Sequence, residues 1–146
     1  CSFLEIQRYS RKLSGPLMDR IDLHLQVPRP TYDEITGRSK GENSETIRER
    51  VTRAREIQNQ RYKNQGIYYN SQMKPAHIKK YCSLDHQSQN ILKQAFNAFK
   101  LSGRSYHRLL KVSRTIADLK HSDDIKTEHL AEALQYRTSE KENFFC

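Results

Sequence analysis

Only one segment of this chain has the pattern of a β-strand. Residues 21–27 (IDLHLQV) alternate strictly between apolar and polar side chains, as a half-buried strand does. Pro28 and Pro30 end the pattern. No second segment alternates convincingly, and a lone strand leaves its backbone hydrogen-bonding groups without partners. We therefore predict a mainly α-helical chain with one orphan strand, whose partner sheet would lie upstream in a longer protein.

The rest of the sequence carries helical periodicity in successive stretches. Ser44, Ser83 and Thr127 are the predicted N-caps of three of these helices. The predicted helices are 3–13, 44 to about 63, 75–81, one after Ser83, 104–120 and 127 to about 137. This pattern predicts a helix and strand over residues 1–28, a linker over 29–43, a helical bundle over 44–137 and a flexible tail over 138–146.

The composition limits the classes of partner and compartment. The net charge of +9 favours anionic partners such as nucleic acid or nucleotide phosphates. The three cysteines (Cys1, Cys82 and Cys146) are odd in number and form no CxxC pair, which argues against a disulfide framework. No apolar run approaches the roughly 20 residues that a membrane span needs. We expect a soluble cytoplasmic protein without membrane contact.

The motifs of autonomous enzymes are missing from this sequence. It contains no GxxxxGK[ST] phosphate loop, no GxGxxG, no GxSxG and no HExxH. Its six histidines are scattered without metal-ligand spacing, so we predict no metal site. An enzyme that works on its own is therefore not indicated.

The predicted helix over residues 104–120 has a basic stripe. At about 100° per residue, Arg104, Arg108, Lys111 and Arg114 share one sector, and apolar residues occupy the other. Such a stripe suits contact with the phosphates of a nucleotide or a nucleic acid. The alternative is an ordinary solvated helix face.

Several segments together resemble the magnesium-chelatase-like AAA+ ATPases of the ComM and YifB type. Residues 14–24, SGPLMDRIDLH, are similar to the family's SGPLLDRIDLH segment. Residues 101–108 and 112–119 resemble its LSARxxxR and VARTIADL segments, although Gly103 stands where alanine is usual. Residues 42–58 and 129–137 resemble its ExxxIRxRVxxARxxQ and HxxEALxYR segments. The matches run in order over nearly the whole chain.

The resemblance implies a AAA+ fold cut near its end. Residues 1–28 would be the last helix and strand of the α/β ATPase core, and residues 44–137 would be a helical lid of the magnesium-chelatase C-terminal type. The phosphate loop and the Walker B acid would lie upstream. We therefore expect this chain to be inactive alone, and the full-length protein to be an ATPase that uses ATP and Mg²⁺.

The resemblance also assigns roles to two arginines. Arg20 matches the arginine that related proteins supply in trans, as a finger, to the γ-phosphate of a neighbouring subunit. Arg104 matches the sensor-2 arginine, which contacts the bound nucleotide in cis. Arg108, Lys111 and Arg114 receive no family role and remain candidate phosphate or nucleic-acid contacts.

These roles lead to one main hypothesis and three alternatives. The main hypothesis is a lid-and-finger segment of a homo-hexameric, DNA-acting motor of the helicase or branch-migration type, related to competence. Its partners would be the upstream core, the neighbouring subunits and DNA. The alternatives are a non-catalytic basic module that binds DNA or protein, a metal-chelatase ATPase subunit, and a purely structural helical domain.

We also expect the segment before about Arg29, without its sheet, to be disordered or docked on the bundle.

Overall fold

The computed structural model describes residues 15–25, 27–36 and 41–142, and within these ranges it is mainly α-helical. The helices are α1 (Gly15–Met18), α2 (Tyr32–Thr36), α3 (Ser44–Arg61), α4 (Pro75–Tyr81), α5 (His86–Ala98), α6 (Gly103–Leu119) and α7 (Thr127–Glu142), with a 3-10 turn at Asn70–Gln72. An isolated parallel bridge joins Leu84 to Ile125. The predicted fold class is confirmed, while the predicted helix over residues 3–13 lies outside the described residues.

The predicted strand over residues 21–27 is wrong for the described part of that segment. Residues 21–25 and 27 are irregular, and the apolar set that should share a buried face is exposed, from Ile21 at 41% to Val27 at 86%. No neighbouring strand is present among the described residues to complete a ladder. The backbone bonds to the bundle instead: His24 N donates to Tyr136 O at 2.8 Å. Of the two expected outcomes, disorder or docking, residues 19–24 show docking on the bundle, while residues 1–14 of the same segment lie outside the described residues.

The predicted linker contains a short helix, α2. Thr31 Oγ1 accepts a hydrogen bond from Glu34 N, and Thr31 N donates to the Glu34 carboxylate at 2.7 Å. This reciprocal capping box stabilises one turn of helix. The helix was not predicted because its residues have no apolar periodicity. At the other end of the chain, α7 continues to Glu142, five residues beyond the predicted end of the last helix.

The three predicted N-caps are each displaced by one or two residues. Asn43 rather than Ser44 caps α3, with its Oδ1 accepting from Thr46 N at 2.8 Å. Asp85 rather than Ser83 caps α5. Thr127 is already the first helical residue of α7. Serine, threonine, asparagine and aspartate are close competitors as cap acceptors, so neighbouring candidates are hard to rank from sequence.

The core is organised around α6, which packs against α3, α4 and α7. Its Leu109 and Ala117 are fully buried, as is Leu130 of α7. Leu110 and Ile116 of α6 are buried too, and the other large core side chains come from the remaining helices and loops: Tyr62, Ile67, Met73, Ile78, Leu92 and Ile125. Burying a large aliphatic side chain contributes about 1.5–3 kcal/mol, so these contacts define the bundle. Because α6 has neighbours on several sides, most of its circumference is covered.

Helices α5 and α6 both end in the same hydrogen-bonded turn. Leu101 N donates to Phe96 O, and Ser122 N donates to Ala117 O, which is the six-to-one bond of a Schellman motif. The residues in the left-handed position are Lys100 (φ 47°) and His121 (φ 53°), where glycine is usual. Among the described helices, none is long and apolar enough to cross a membrane.

Candidate functional site

The candidate site is built at the N-terminus of α6. Ser102 caps the helix, and its Oγ accepts from Ser105 N at 3.1 Å. A Cβ added to Gly103 would meet no atom within 4 Å, so the alanine that is usual in the family would fit here. The cap fixes where the helix begins and therefore where the side chain of Arg104 leaves it. Arg104 is exposed.

The segment that carries Arg20 docks on this helix start. We call residues 19–24 the docked segment. The carboxylate of Asp19 accepts from Ser105 Oγ at 2.8 Å and from Ser102 Oγ at 3.0 Å. The bond from Ser105 lowers the pKa of Asp19 below its usual value; partial burial opposes the shift, and the charges of Arg137 and Arg104 add to it. Asp19 is therefore held in its charged form against the helix.

Two arginines of the bundle hold the backbone of the docked segment. Arg108 donates from Nη1 both to the carbonyl of Arg20 and to the carboxylate of Asp22. Arg137, which is only 6% exposed, donates from Nη1 to Ile21 O at 3.0 Å. Charged donors make stronger hydrogen bonds than neutral ones. The main chain at Arg20 and Ile21 is thus anchored to α6 and α7.

The side chains of Arg20 and Arg104, whose neighbours along the chain form this anchor, are left exposed. Asp19 precedes Arg20 directly, and the charge of Arg104 acts on Asp19. Within the described part of the chain, neither arginine side chain makes a hydrogen bond or an ion pair. Guanidinium groups with free donors, carried on an anchored backbone, can each bind phosphate oxygens.

The predicted basic stripe on α6 is only partly a surface. For Arg114 the prediction of an outward-facing cation is wrong: the residue is 2% exposed, and it donates to Ser122 O, Asp123 O and the carboxylate of Asp118. Lys111 is half-buried and donates to Ser71 O at 2.8 Å, and burial lowers its pKa. Arg108 serves the docked segment. Of the four predicted residues, Arg104 alone presents an exposed side chain free of such bonds within the described ranges.

The inner side of α6 carries a buried polar network that sequence analysis did not find. Asp118 is fully buried and accepts from Arg61, Arg114 and the amide of Asn70. Asn70 also accepts from the hydroxyl of Tyr62 at 2.6 Å. This network ties α3 and the 3-10 turn to α6, and so fixes the helix on which Arg104 stands.

Sequence analysis also missed the residues that dock the Arg20 segment. Asp19, Asp22 and Arg137 lie in segments that resemble the family, but the sequence pattern predicted no role for any of them. A local signal exists for the first two, since acidic residues flank Arg20 on both sides at close spacing. Arg137 lies more than a hundred residues away, and no local pattern links it to that segment.

Among the described residues, no group of three or more His, Cys, Asp or Glu side chains could hold a metal ion.

Comparison with known proteins gives a consistent result over this chain. Residues 41–137 match the family described as magnesium chelatase, subunit ChlI C-terminal, and residues 1–35 match the family described as magnesium chelatase, subunit ChlI. The competence protein ComM of Haemophilus influenzae is 44% identical over 135 residues, which cover 91% of this chain and 26% of ComM.

Two proteins named YifB are also similar. Salmonella typhimurium YifB is 39% identical and Escherichia coli YifB 37% identical, each over 142 residues that cover 97% of this chain and 27% of the relative. The chain therefore spans about a quarter of the length of the curated relatives it matches. On these matches and on its helical fold, the chain belongs to the magnesium-chelatase-like family that includes ComM and YifB, and residues 41–137 form the C-terminal helical domain of that family.

Proposed function

We propose that this chain is the lid and finger segment of a AAA+ ATPase. Arg20 acts in trans on the γ-phosphate of ATP bound to a neighbouring subunit, and Arg104 acts as the sensor-2 arginine on bound nucleotide. The complete protein forms a homo-hexameric ring that hydrolyses ATP with Mg²⁺ and acts on DNA as a helicase or branch-migration motor. The name of the Haemophilus relative, a competence protein, supports a link to competence.

The observation that carries this proposal is the exposure of two arginines on an anchored backbone. Arg20 and Arg104 make no hydrogen bond or ion pair from their side chains within the described residues, whereas Arg108, Arg114 and Arg137 are all engaged. Free guanidinium donors suit ligands with several anionic oxygens.

The chemistry of phosphoryl transfer gives such arginines a role. In the transition state, negative charge spreads over the transferred phosphoryl group, and an inserted guanidinium stabilises that charge. An arginine finger contributes roughly 10³- to 10⁵-fold in rate. Mg²⁺, when bound, would neutralise charge on the phosphate oxygens. The described residues provide cationic donors for phosphate, and among them no group of three or more His, Cys, Asp or Glu side chains could hold the metal ion.

The DNA-acting part of the proposal rests on charge and on family membership. The chain carries a net charge of +9, and proteins that contact the DNA backbone use Lys and Arg for this purpose. A second candidate, a chelatase ATPase subunit, is favoured by the description of both matching family models. The two candidates share the ATPase roles of Arg20 and Arg104 and differ in what stimulates turnover.

The test is ATP hydrolysis by the full-length protein, with and without branched DNA, for wild type, Arg20→Ala and Arg104→Ala. We expect DNA to stimulate the wild type. Arg20→Ala should lower kcat by at least roughly 10³-fold while a fluorescent nucleotide still binds. The control is Arg53→Ala, which removes an exposed arginine of α3, away from the docked segment, and should keep the wild-type kcat without DNA.

Each alternative has its own outcome in this assay. Unchanged turnover in Arg20→Ala and Arg104→Ala would remove both arginine roles. A wild type that binds DNA in a strongly salt-dependent manner but never hydrolyses ATP would instead support a non-catalytic basic module. Turnover that responds to a porphyrin with Mg²⁺ and ignores DNA would support the chelatase candidate.

A further inference from the structure

One buried guanidinium contacts the neighbours of both exposed arginines. Arg137 donates from Nη1 to the carbonyl of Ile21 and from Nη2 to Ser105 Oγ, both at 3.0 Å, and its Nη2 lies 3.6 Å from Asp19 Oδ1. Asp19 and Ile21 flank Arg20, and Ser105 follows Arg104. Arg137 therefore links the backbone that carries the first arginine to the helix turn that carries the second.

The link is made in a protected position. The Arg137 side chain is 4% accessible, whereas the Asp19 side chain is 41% accessible. Ser105 is buried as well, and its hydroxyl accepts from Arg137 while donating to Asp19 at 2.8 Å. Hydrogen bonds shielded from water hold their geometry better than exposed ones, because water competes less for the same groups. The docked segment is thus fixed to α6 through α7 and does not merely lie on the surface.

We propose that Arg137 is a positioning residue, which sets the direction in which Arg20 projects and ties that direction to the position of α6. The inference rests on the proposed function of Arg20 as a finger. A movement of α6 that follows contact between Arg104 and nucleotide would then move the backbone of Arg20 as well. Arg137 itself need not touch the nucleotide.

The geometry requires an arginine at position 137. Two acceptors, the Ile21 carbonyl and the Ser105 hydroxyl, are served by two different nitrogens of one planar group. Lysine carries the same charge on a single nitrogen and lacks this fork. A purely electrostatic role toward Asp19 would tolerate lysine, whereas a positioning role would not.

The experiment measures steady-state ATP hydrolysis by the full-length protein carrying Arg137→Gln or Arg137→Lys. Loss of alignment by about 1 Å can cost on the order of 100-fold in rate. We expect kcat to fall roughly 10- to 100-fold for both variants, with KM for ATP within about twofold of wild type. The control is Arg50→Gln, which breaks another arginine–carboxylate pair, with Glu42, at a position that has no contact with the docked segment.

A double-variant cycle separates positioning from a general structural effect. If Arg137 acts through Arg20, adding Arg137→Gln to Arg20→Ala should change the remaining slow turnover by less than about threefold. That turnover can be followed over hours with radiolabelled ATP. Losses that multiply in the double variant would overturn the proposal, and so would a loss in Arg50→Gln as large as that in Arg137→Gln.

A second variant covers the case in which Arg137→Gln does not fold. Asp19→Asn changes a partly exposed side chain and leaves the core intact, yet it weakens the same anchor. We expect a three- to tenfold lower kcat, again absent in the Arg20→Ala background, and wild-type kcat here would refute the anchor. If Arg20→Ala alone keeps the wild-type kcat, the finger itself fails. If Arg20→Ala is slow while Asp19→Asn and Arg137→Gln are fast, only the positioning role fails.

Discussion

The carboxylate of Asp118 is the most consequential buried charge among the described residues, and its removal should destabilise the whole bundle. Its side chain has no accessible surface and accepts from Arg61 at 2.8 and 2.5 Å, from Arg114 at 3.0 Å and from Asn70 at 2.8 Å. In Asp118→Asn the shape is kept but the charge is lost. Two guanidinium groups, 14% and 3% accessible, then remain without their counter-ion.

The expected loss in the free energy of unfolding follows from the burial of these two guanidinium groups. Removing one partner of a buried ion pair costs about 3–5 kcal/mol, because the remaining charge stays desolvated. A loss of about 4 kcal/mol corresponds to a Tm lower by roughly 10–15 °C for a chain of this size. With an m-value of about 2 kcal/mol/M, the urea midpoint should fall by about 2 M.

The assay is urea unfolding of this chain followed by far-UV circular dichroism. The control is Asp124→Asn, which changes an exposed aspartate in the loop after α6 and should stay within about 0.5 kcal/mol of wild type. Arg61→Gln should lie between the two, because Arg114 still neutralises Asp118. An Asp118→Asn variant within 1 kcal/mol of wild type, at equal m-value, would refute the claim that this network holds the bundle together.

Three further predictions concern buried titratable groups. Burial raises the pKa of Cys82 to about 11, so iodoacetamide at pH 8 should modify this thiol at least roughly 100-fold more slowly in the folded chain than in the urea-unfolded chain. Peptide mapping measures the two rates, and equal rates would contradict the prediction. Burial raises the pKa of Tyr62 to about 12, so an ultraviolet titration should show one tyrosine ionising near pH 12, and Tyr62→Phe should remove this ionisation. The same variant should lower the free energy of unfolding by about 1 kcal/mol, because the hydrogen bond to Asn70 is lost. Burial lowers the pKa of His129 below 6.5, so the unfolded chain takes up a proton before the folded chain does. The free energy of unfolding should therefore fall as pH drops through 6.5, and His129→Gln should flatten that dependence. A His129 pKa at its ordinary value, measured by NMR, would contradict this prediction.

Periodicity predicted the helices well and their ends less well. Apolar spacing, together with cap residues and Pro75, placed α3, α4, α6 and the start of α7 close to their observed bounds. The exception was residues 21–27, where a correct reading of alternation gave the wrong structure. Alternation reports a preference for a sheet, and the described residues contain no partner strand to satisfy it.

For the candidate site, too, the sequence predicted local features but not contacts between distant segments. Exposure of Arg20 and Arg104 agrees with the roles that the family resemblance implies. The burial of Arg114 could not be read from a helical wheel, which gives the direction of a side chain but not how much protein lies in that direction. The anchoring of Asp19 by Ser105 and Arg137 depends on segments 86 and 118 residues away, and only the folded chain brings them together.

The turns that close α5 and α6 identify positions where the chain could be made more thermostable. Lys100 and His121 occupy a left-handed conformation that costs a residue with a Cβ about 1–2 kcal/mol relative to glycine. One of these positions precedes the Ser102 cap, and the other follows the helix that carries Arg104. Replacing either residue with glycine would release strain at an end of α6 while leaving the arginines in place. An engineered protein of greater thermal tolerance is therefore accessible by substitutions that do not alter the proposed site.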